Sequence, residues 1–151
     1  MKVKTRSEKE TKKIAAELAK KVKKECSAKV IKLSGQLGSG KTTFVKGFAN
    51  ELGISEITSP TFVIMKKYDL NECEFETLYH IDCYRLDEGS SLKEINFEDI
   101  LDDKNNLILI EWPERIDRDL KNCIQLKFEA TGKEERRIEI PDSFDLQNKV
   151  N

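Results

Sequence analysis

The sequence predicts an α/β fold on three observations. Strand-like and helix-like stretches alternate along the chain, a glycine-rich loop joins one of each, and Leu107-Ile108-Leu109-Ile110 is continuously apolar. A run of that last kind suits a strand buried on both faces of a parallel sheet. At 151 residues, the chain is expected to form one domain, 1–151, with a single core and no appended catalytic domain.

The elements follow in order. Ser7-Glu8-Lys9-Glu10 is a capping-box pattern. It opens a helix whose apolar stripe is Ile14, Ala15, Leu18, Ala19 and Val22, with lysines on the rest as a solvated face. Val30, Ile31 and Leu33 lead into the glycine-rich loop, and Phe44, Val45, Phe48, Ala49 and Leu52 recur behind it at helical spacing. Gly53 stops that helix, and Ser55 to Pro60 is a polar connection. Thr61 to Tyr68 and Glu76 to Asp82 read as a hairpin around Asn71-Glu72. After Gly89-Ser90, the spacing of Leu92, Ile95, Ile100 and Leu101 predicts a helix over 91–101. Cys123 to Glu129 and Arg136 to Ile140 alternate around Thr131-Gly132, a second hairpin. Residues 140–151 are polar and expected to fray.

Composition narrows the function classes. Twenty-seven basic against twenty-eight acidic residues, a net charge of −1, remove any global electrostatic case for nucleic-acid binding. No apolar run approaches the roughly 20 residues of a bilayer span, and the N-terminus lacks an apolar signal region. Cys26, Cys73, Cys83 and Cys123 are widely spaced, without a C-x-x-C pair and beside a single histidine, which argues against zinc and for reduced thiols. The expected location is the cytoplasm, with no membrane partner.

The chemistry is stated by residues 35–43. Gly35, Gly40, Lys41 and Thr42 satisfy G-x-x-x-x-G-K-[ST], between a strand and a helix. Glycines at 35, 38 and 40 allow close backbone approach, so that successive N–H groups and the helix N-terminus surround phosphate oxygens. Lys41 then meets the β- and γ-phosphates, and the Thr42 hydroxyl is a hard oxygen ligand for Mg²⁺. The chain is expected to bind a nucleoside triphosphate with magnesium.

Two acids sit at strand ends, where ligands bind in α/β folds. Glu111 follows Leu107 to Ile110, in the Walker-B position, to hold Mg²⁺ or orient the attacking water. Asp82 ends the strand in His80-Ile81-Asp82-Cys83-Tyr84-Arg85-Leu86. Ser59-Pro60-Thr61 has the form of a nucleotide switch, with Pro60 stiffening the turn and Thr61 offering a hydroxyl. Trp112, the lone tryptophan, serves as a core anchor or a partner contact.

Taken together, Gly35-Gln36-Leu37-Gly38-Ser39-Gly40-Lys41-Thr42-Thr43, Ser59-Pro60-Thr61-Phe62, His80-Ile81-Asp82-Cys83-Tyr84-Arg85-Leu86 and Ile110-Glu111-Trp112-Pro113-Glu114 occur in the order of the TsaE family, also called YjeE. The chain resembles that family from about Ser7 to about Ile140. These are bacterial ATPases of tRNA threonylcarbamoyladenosine biosynthesis.

The resemblance implies a three-layer phosphate-loop NTPase fold around a mostly parallel sheet, with antiparallel additions from the two hairpins. It implies that Gly38, Ser39, Gly40, Lys41, Thr42 and Thr43 hold the ATP phosphates, and that Thr42 and Glu111 hold Mg²⁺. Asp82 matches the family's essential aspartate near the metal, so Lys41, Asp82 and Glu111 form the implied catalytic set. Thr11 matches a threonine beside the adenine, and Arg136 closes a G-x-x-x-R stretch near the nucleotide. Three positions depart from the family: Gln36 replaces an acid, weakening whatever contact that acid makes, Ser39 an alanine and Asn96 a glycine. The implied activity is an ATPase, slow alone and stimulated by TsaD and TsaB, which modify the adenosine beside the anticodon in tRNAs reading ANN codons. Contact with tRNA is then only indirect, and Ser59, Thr61 and Trp112 are the switch and partner positions. A small-molecule kinase and a non-hydrolysing nucleotide-dependent adaptor are the alternatives.

Overall fold

The computed structural model describes residues 1–25, 28–58, 65–84, 92–116 and 119–144. The expected switch Ser59-Pro60-Thr61 and the Gly89-Ser90 break lie outside the described residues.

Among the described residues, seven strands form one sheet. In chain order the elements are β1 (Lys2–Thr5), α1 (Glu8–Glu25), β2 (Val30–Gly35), α2 (Lys41–Glu51), β3 (Met65–Asp69), β4 (Thr77–Asp82), α3 (Phe97–Asp102), β5 (Asn106–Glu111), β6 (Cys123–Ala130) and β7 (Arg136–Glu139). The strand order is β1-β7-β6-β2-β5-β4-β3. The central run β6-β2-β5-β4 is parallel. The hairpins β3–β4 and β6–β7, and β1 against β7, add antiparallel pairs at both edges. The mixed sheet with its antiparallel additions is the expected one.

Alternation along the strands builds two cores. Ile31, Leu33, Leu107, Leu109 and Leu126 face one side, with Leu18 and Val22 of α1 and Phe44 and Phe48 of α2. Val30, Ile81, Ile108 and Ile110 face the other, with Phe97 and Ile100 of α3. Every residue of β5 is buried, as its apolar run requires. Helices on both faces of the sheet make the three layers.

At the start of α1, Ser7 Oγ accepts the Glu10 N–H at 3.2 Å, while the Glu10 carboxylate reaches back to the Arg6 N–H at 2.7 Å. The reciprocal bond thus falls one residue before the cap, but the helix start is as expected.

Three local features differ from the sequence reading. β1 has no counterpart in it; this is a four-residue edge strand whose lysines point outward and whose Val3 packs on the core. The helix expected over 91–101 is broken into a 3₁₀ turn at Leu92–Ile95 and α3, because Asn96 lies at φ 53°, in the left-handed region. Asparagine and glycine take that region at least cost. The fraying expected from residue 140 does not begin there. Ile140 and Phe144 are buried, the Ile140 N–H donates to the Met1 carbonyl, and Asp142–Phe144 forms a 3₁₀ turn.

Helices α1 and α2 approach closely at Gly47. A Cβ there would lie 2.6 Å from Lys12 Cα and 2.7 Å from its carbonyl oxygen, both backbone atoms. Alanine's helix propensity favours Gly47→Ala by about 1 kcal/mol, but forcing the helices apart costs about 1–3 kcal/mol or more. The variant should melt below the parent in a thermal scan; an equal or higher melting temperature would contradict this packing.

Candidate functional site

The site is built where β2 runs into α2. Gly35 ends the strand with no room for a side chain, since a Cβ would sit 2.4 Å from the Phe128 carbonyl oxygen of neighbouring β6. Gly40, at φ 100°, caps α2 without any side-chain hydrogen bond, and no acid lies in the helix's first turn. By contrast α1 carries Glu8 and Glu10 in its first turn. Among the described residues no side chain caps the N-terminus of α2, so its first-turn amides and positive dipole end are left for an anion in the cleft.

Lys41 is 5% exposed and, among the described residues, has no carboxylate in direct contact. Its ammonium donates to the Gly35 carbonyl (2.5 Å), the Gln36 carbonyl (2.9 Å) and Ser39 Oγ (3.3 Å), and lies 4.5 Å from the Trp112 ring centre. Burial holds its pKa below the ordinary lysine value, and the fields of Glu111, Glu114 and Asp82 only partly oppose that. The loop thus stores a desolvated cation bonded to neutral groups, which a phosphate oxygen satisfies better. Gln36 makes these contacts through its carbonyl while its side chain lies in the open. Ser39 Oγ adds a contact that alanine lacks.

The two strand-end acids meet this loop. Asp82 and Glu111 stand side by side in the β4–β5 register. Glu111 is 2% exposed. One of its oxygens accepts the Thr42 hydroxyl at 3.2 Å and the other lies 3.0 Å from His80 Nε2. Asp82 is half-buried, and its carboxylate accepts the Tyr84 N–H at 3.0 Å. Burial first, and then the Glu111 charge, push the Asp82 pKa upward against the Tyr84 N–H. Next to it, burial drives the Cys83 thiol up to about 12, so no thiolate chemistry arises there at neutral pH.

Trp112 follows Glu111 at φ 58°, in the left-handed region, where a bulky side chain is strained by about 1–2 kcal/mol. That turn sets the indole against Lys41 and 4.9 Å from the Tyr84 ring. Trp112 is half-buried, packed against the second core and bordering the site as well.

A cleft of about 300 Å³ collects Gly38, Ser39, Gly40, Lys41, Thr42, Thr43, Asp82, Glu111, Trp112 and Arg136. A second recess of about 260 Å³ shares Glu8, Gly40, Thr43 and Arg136 with it and continues to Thr11, Lys133 and Glu134. Thr11 is fixed there by Thr5, the two hydroxyls 2.8 Å apart. Arg136 packs over Gly40, its guanidinium donating to the carbonyls of Gly132, Lys133 and Glu135. All the site residues singled out from the sequence thus border one continuous depression, except Ser59 and Thr61, which fall outside the described residues. His80 belongs to a motif in the sequence but carries no role there; its inward place on a strand ending in Asp82 is the signal that points to it. A larger hollow of about 630 Å³ beside Lys20, Lys23 and Glu72 has lysines and acids but no glycine loop.

The family model for "Threonylcarbamoyl adenosine biosynthesis protein TsaE" matches residues 5–138. The chain belongs to the TsaE family. Among TsaE relatives, each called a tRNA threonylcarbamoyladenosine biosynthesis protein, that of Rickettsia conorii is 38% identical over 89% of this chain and 74% of its own length. That of Borreliella burgdorferi is 45% identical over 57% of this chain, and that of Bacillus subtilis 38% identical over 72%. The matches span 61% and 66% of those last two relatives. The crystal structure of Bacillus subtilis YdiB superposes with a TM-score of 0.68 at 35% identity, covering 93% of this chain and 83% of that one. The α/β architecture is therefore the TsaE form of the phosphate-loop fold. Among the described residues, no helix is long and apolar enough to cross a membrane.

Proposed function

We propose that this chain is an ATPase of tRNA threonylcarbamoyladenosine biosynthesis, driven by TsaD and TsaB in the cytoplasm. The observation that carries the reading is the Thr42–Glu111 pair beside the uncapped start of α2 and the buried Lys41. A hydroxyl and a carboxylate 3.2 Å apart are hard oxygen donors of the kind Mg²⁺ takes when the nucleotide and water supply the rest. Among the described residues, no cluster of three or more His, Cys, Asp or Glu side chains offers an all-protein metal cage, in keeping with a cation that arrives with its nucleotide. Thr42 and Glu111 would hold Mg²⁺, which when bound neutralises charge on the phosphates.

The chain's own groups do the rest. Lys41 and the first-turn amides of α2 receive the β- and γ-phosphates, and Gly38 to Thr43 wrap them. Asp82, half-buried at the mouth of the same cleft, orients the attacking water. The base lies in the recess between Thr11 and Arg136, and adenine is its occupant.

Completion in trans explains two engaged arginines. Arg136 is spent on its own hairpin's carbonyls, and Arg115 lies 5.9 Å from the Tyr84 ring. Among the described residues neither is free to serve as an arginine finger, which favours hydrolysis that is slow until TsaD and TsaB complete the site, with Ser59 and Thr61 as the switch positions. The test is steady-state phosphate release with and without TsaB–TsaD from the same organism, for the parent, Thr61→Ala and Trp112→Ala. The pair should stimulate the parent strongly and the variants weakly. Full activity of the isolated chain, unchanged by the pair, would falsify the partner-driven reading.

A further inference from the structure

We propose that His80 is a positioning residue that clamps one oxygen of Glu111, so that the other is presented to Thr42 and to the cation accompanying the nucleotide. The inference rests on the cleft being a magnesium–nucleotide site.

The imidazole is fully buried on β4, and its Nε2 lies 3.0 Å from Glu111 Oε2. Its other nitrogen, Nδ1, is buried without a hydrogen-bond partner among the described residues. A proton on Nδ1 would find no acceptor there, whereas one on Nε2 is donated to the carboxylate; the structure therefore assigns the Nε2–H tautomer. A histidine kept only for packing has no need to spend its single polar contact on the site's acid.

The geometry makes the clamp specific. Glu111 Oε1 has the Thr42 hydroxyl as its partner and Oε2 has His80. The last torsion of a glutamate is broad, so a carboxylate held at one oxygen only is free to turn. Two partners on opposite oxygens fix its plane. The parallel β4–β5 register, with His80 level with Leu109 and Asp82 level with Glu111, sets the imidazole behind the acid and away from the cleft mouth. His80 acts through Glu111 and does not line the cleft.

The test exploits His80 being the only histidine in the chain. With ¹⁵N-histidine label, the parent should show a single imidazole in the Nε2–H form, and Glu111→Gln should shift it. Binding of a fluorescent non-hydrolysable ATP analogue is then measured with and without Mg²⁺. His80→Leu should lose about 10–100-fold of the magnesium-dependent gain, the usual cost of removing a group that orients a metal ligand. Its magnesium-free affinity should match the parent. His80→Gln, whose amide nitrogen replaces Nε2 as donor, should recover most of the gain, and this variant decides if the leucine variant does not fold. An Nδ1–H spectrum, an unaltered magnesium dependence in His80→Leu, or a normally melting His80→Gln without the gain overturns the clamp alone. A parent with no magnesium-dependent gain overturns the nucleotide reading, and the clamp with it.

Discussion

Lys41→Ala should bind ATP·Mg²⁺ at least about a hundredfold more weakly than the parent, without a matching loss of melting temperature. A hydrogen bond from a charged group contributes up to about 3 kcal/mol, which is about two decades in affinity. Removing the ammonium leaves the phosphate charge to backbone dipoles and the cation. Stability moves differently, because in the ligand-free protein the lysine is a buried charge whose hydrogen-bond partners are neutral. Its lowered pKa means that its charged form costs folding free energy at neutral pH, so deletion removes a penalty along with some packing. Thr42→Ala should erode only the magnesium-dependent part of binding. Isothermal calorimetry at fixed ionic strength separates these terms. Parental affinity in Lys41→Ala would leave the loop without its proposed role.

Asp82→Asn and Glu111→Gln should both abolish partner-stimulated turnover, yet move stability in opposite directions. Asp82 has its pKa raised by burial and by Glu111, so the folded state holds its proton more tightly than the unfolded state does. The ionised form is then a burden that is present at neutral pH and lifts as pH falls through the raised pKa. A neutral amide at this position carries no such burden. Asp82→Asn should therefore melt at or above the parent at pH 7, with the difference shrinking toward acid pH. Glu111→Gln faces a harder problem. Its amide keeps both contacts only by turning its oxygen to the Nε2–H of His80 and its N–H₂ to the Thr42 hydroxyl oxygen, which exchanges two charge-assisted bonds for neutral ones at about 1 kcal/mol. Melting curves across pH, beside phosphate-release assays, read both effects. Parental turnover in either variant would clear that acid of a catalytic role.

Legibility from sequence tracks how local each feature is. The strand, loop and helix from Val30 to Glu51 are readable because one motif specifies its own backbone, down to the glycines that leave α2 uncapped. The β6–β7 hairpin is readable from turn chemistry at Thr131-Gly132, and β5 from an unbroken apolar run. β1 is not, since Lys-Val-Lys-Thr has one apolar residue and its partner strand lies at the other end of the chain. The break at Asn96 depends on one residue's φ, which periodicity cannot see. Among the site residues, Lys41, Thr42 and Glu111 are legible from motif and strand position. Thr11 and Arg136 enter only by family resemblance, since α1 and the β6–β7 hairpin become neighbours only in the folded sheet. His80 escapes notice as a functional group because its pairing with Glu111 crosses two strands.

The edge strand also orders events during synthesis. β1 leaves the ribosome before the other elements but, among the described residues, pairs only with β7, whose residues are among the last of the described chain. Until then α1 can pack on α2 and β2, so the phosphate half of the depression can be assembled on a nascent chain still lacking its end. The other half cannot, because Thr11 is tethered through Thr5 of β1 while Lys133, Glu134 and Arg136 arrive with the final hairpin. Such long-range closure is the slow, low-probability contact of a fold. A nucleotide spanning both walls, as proposed, would add its binding free energy to that closing step.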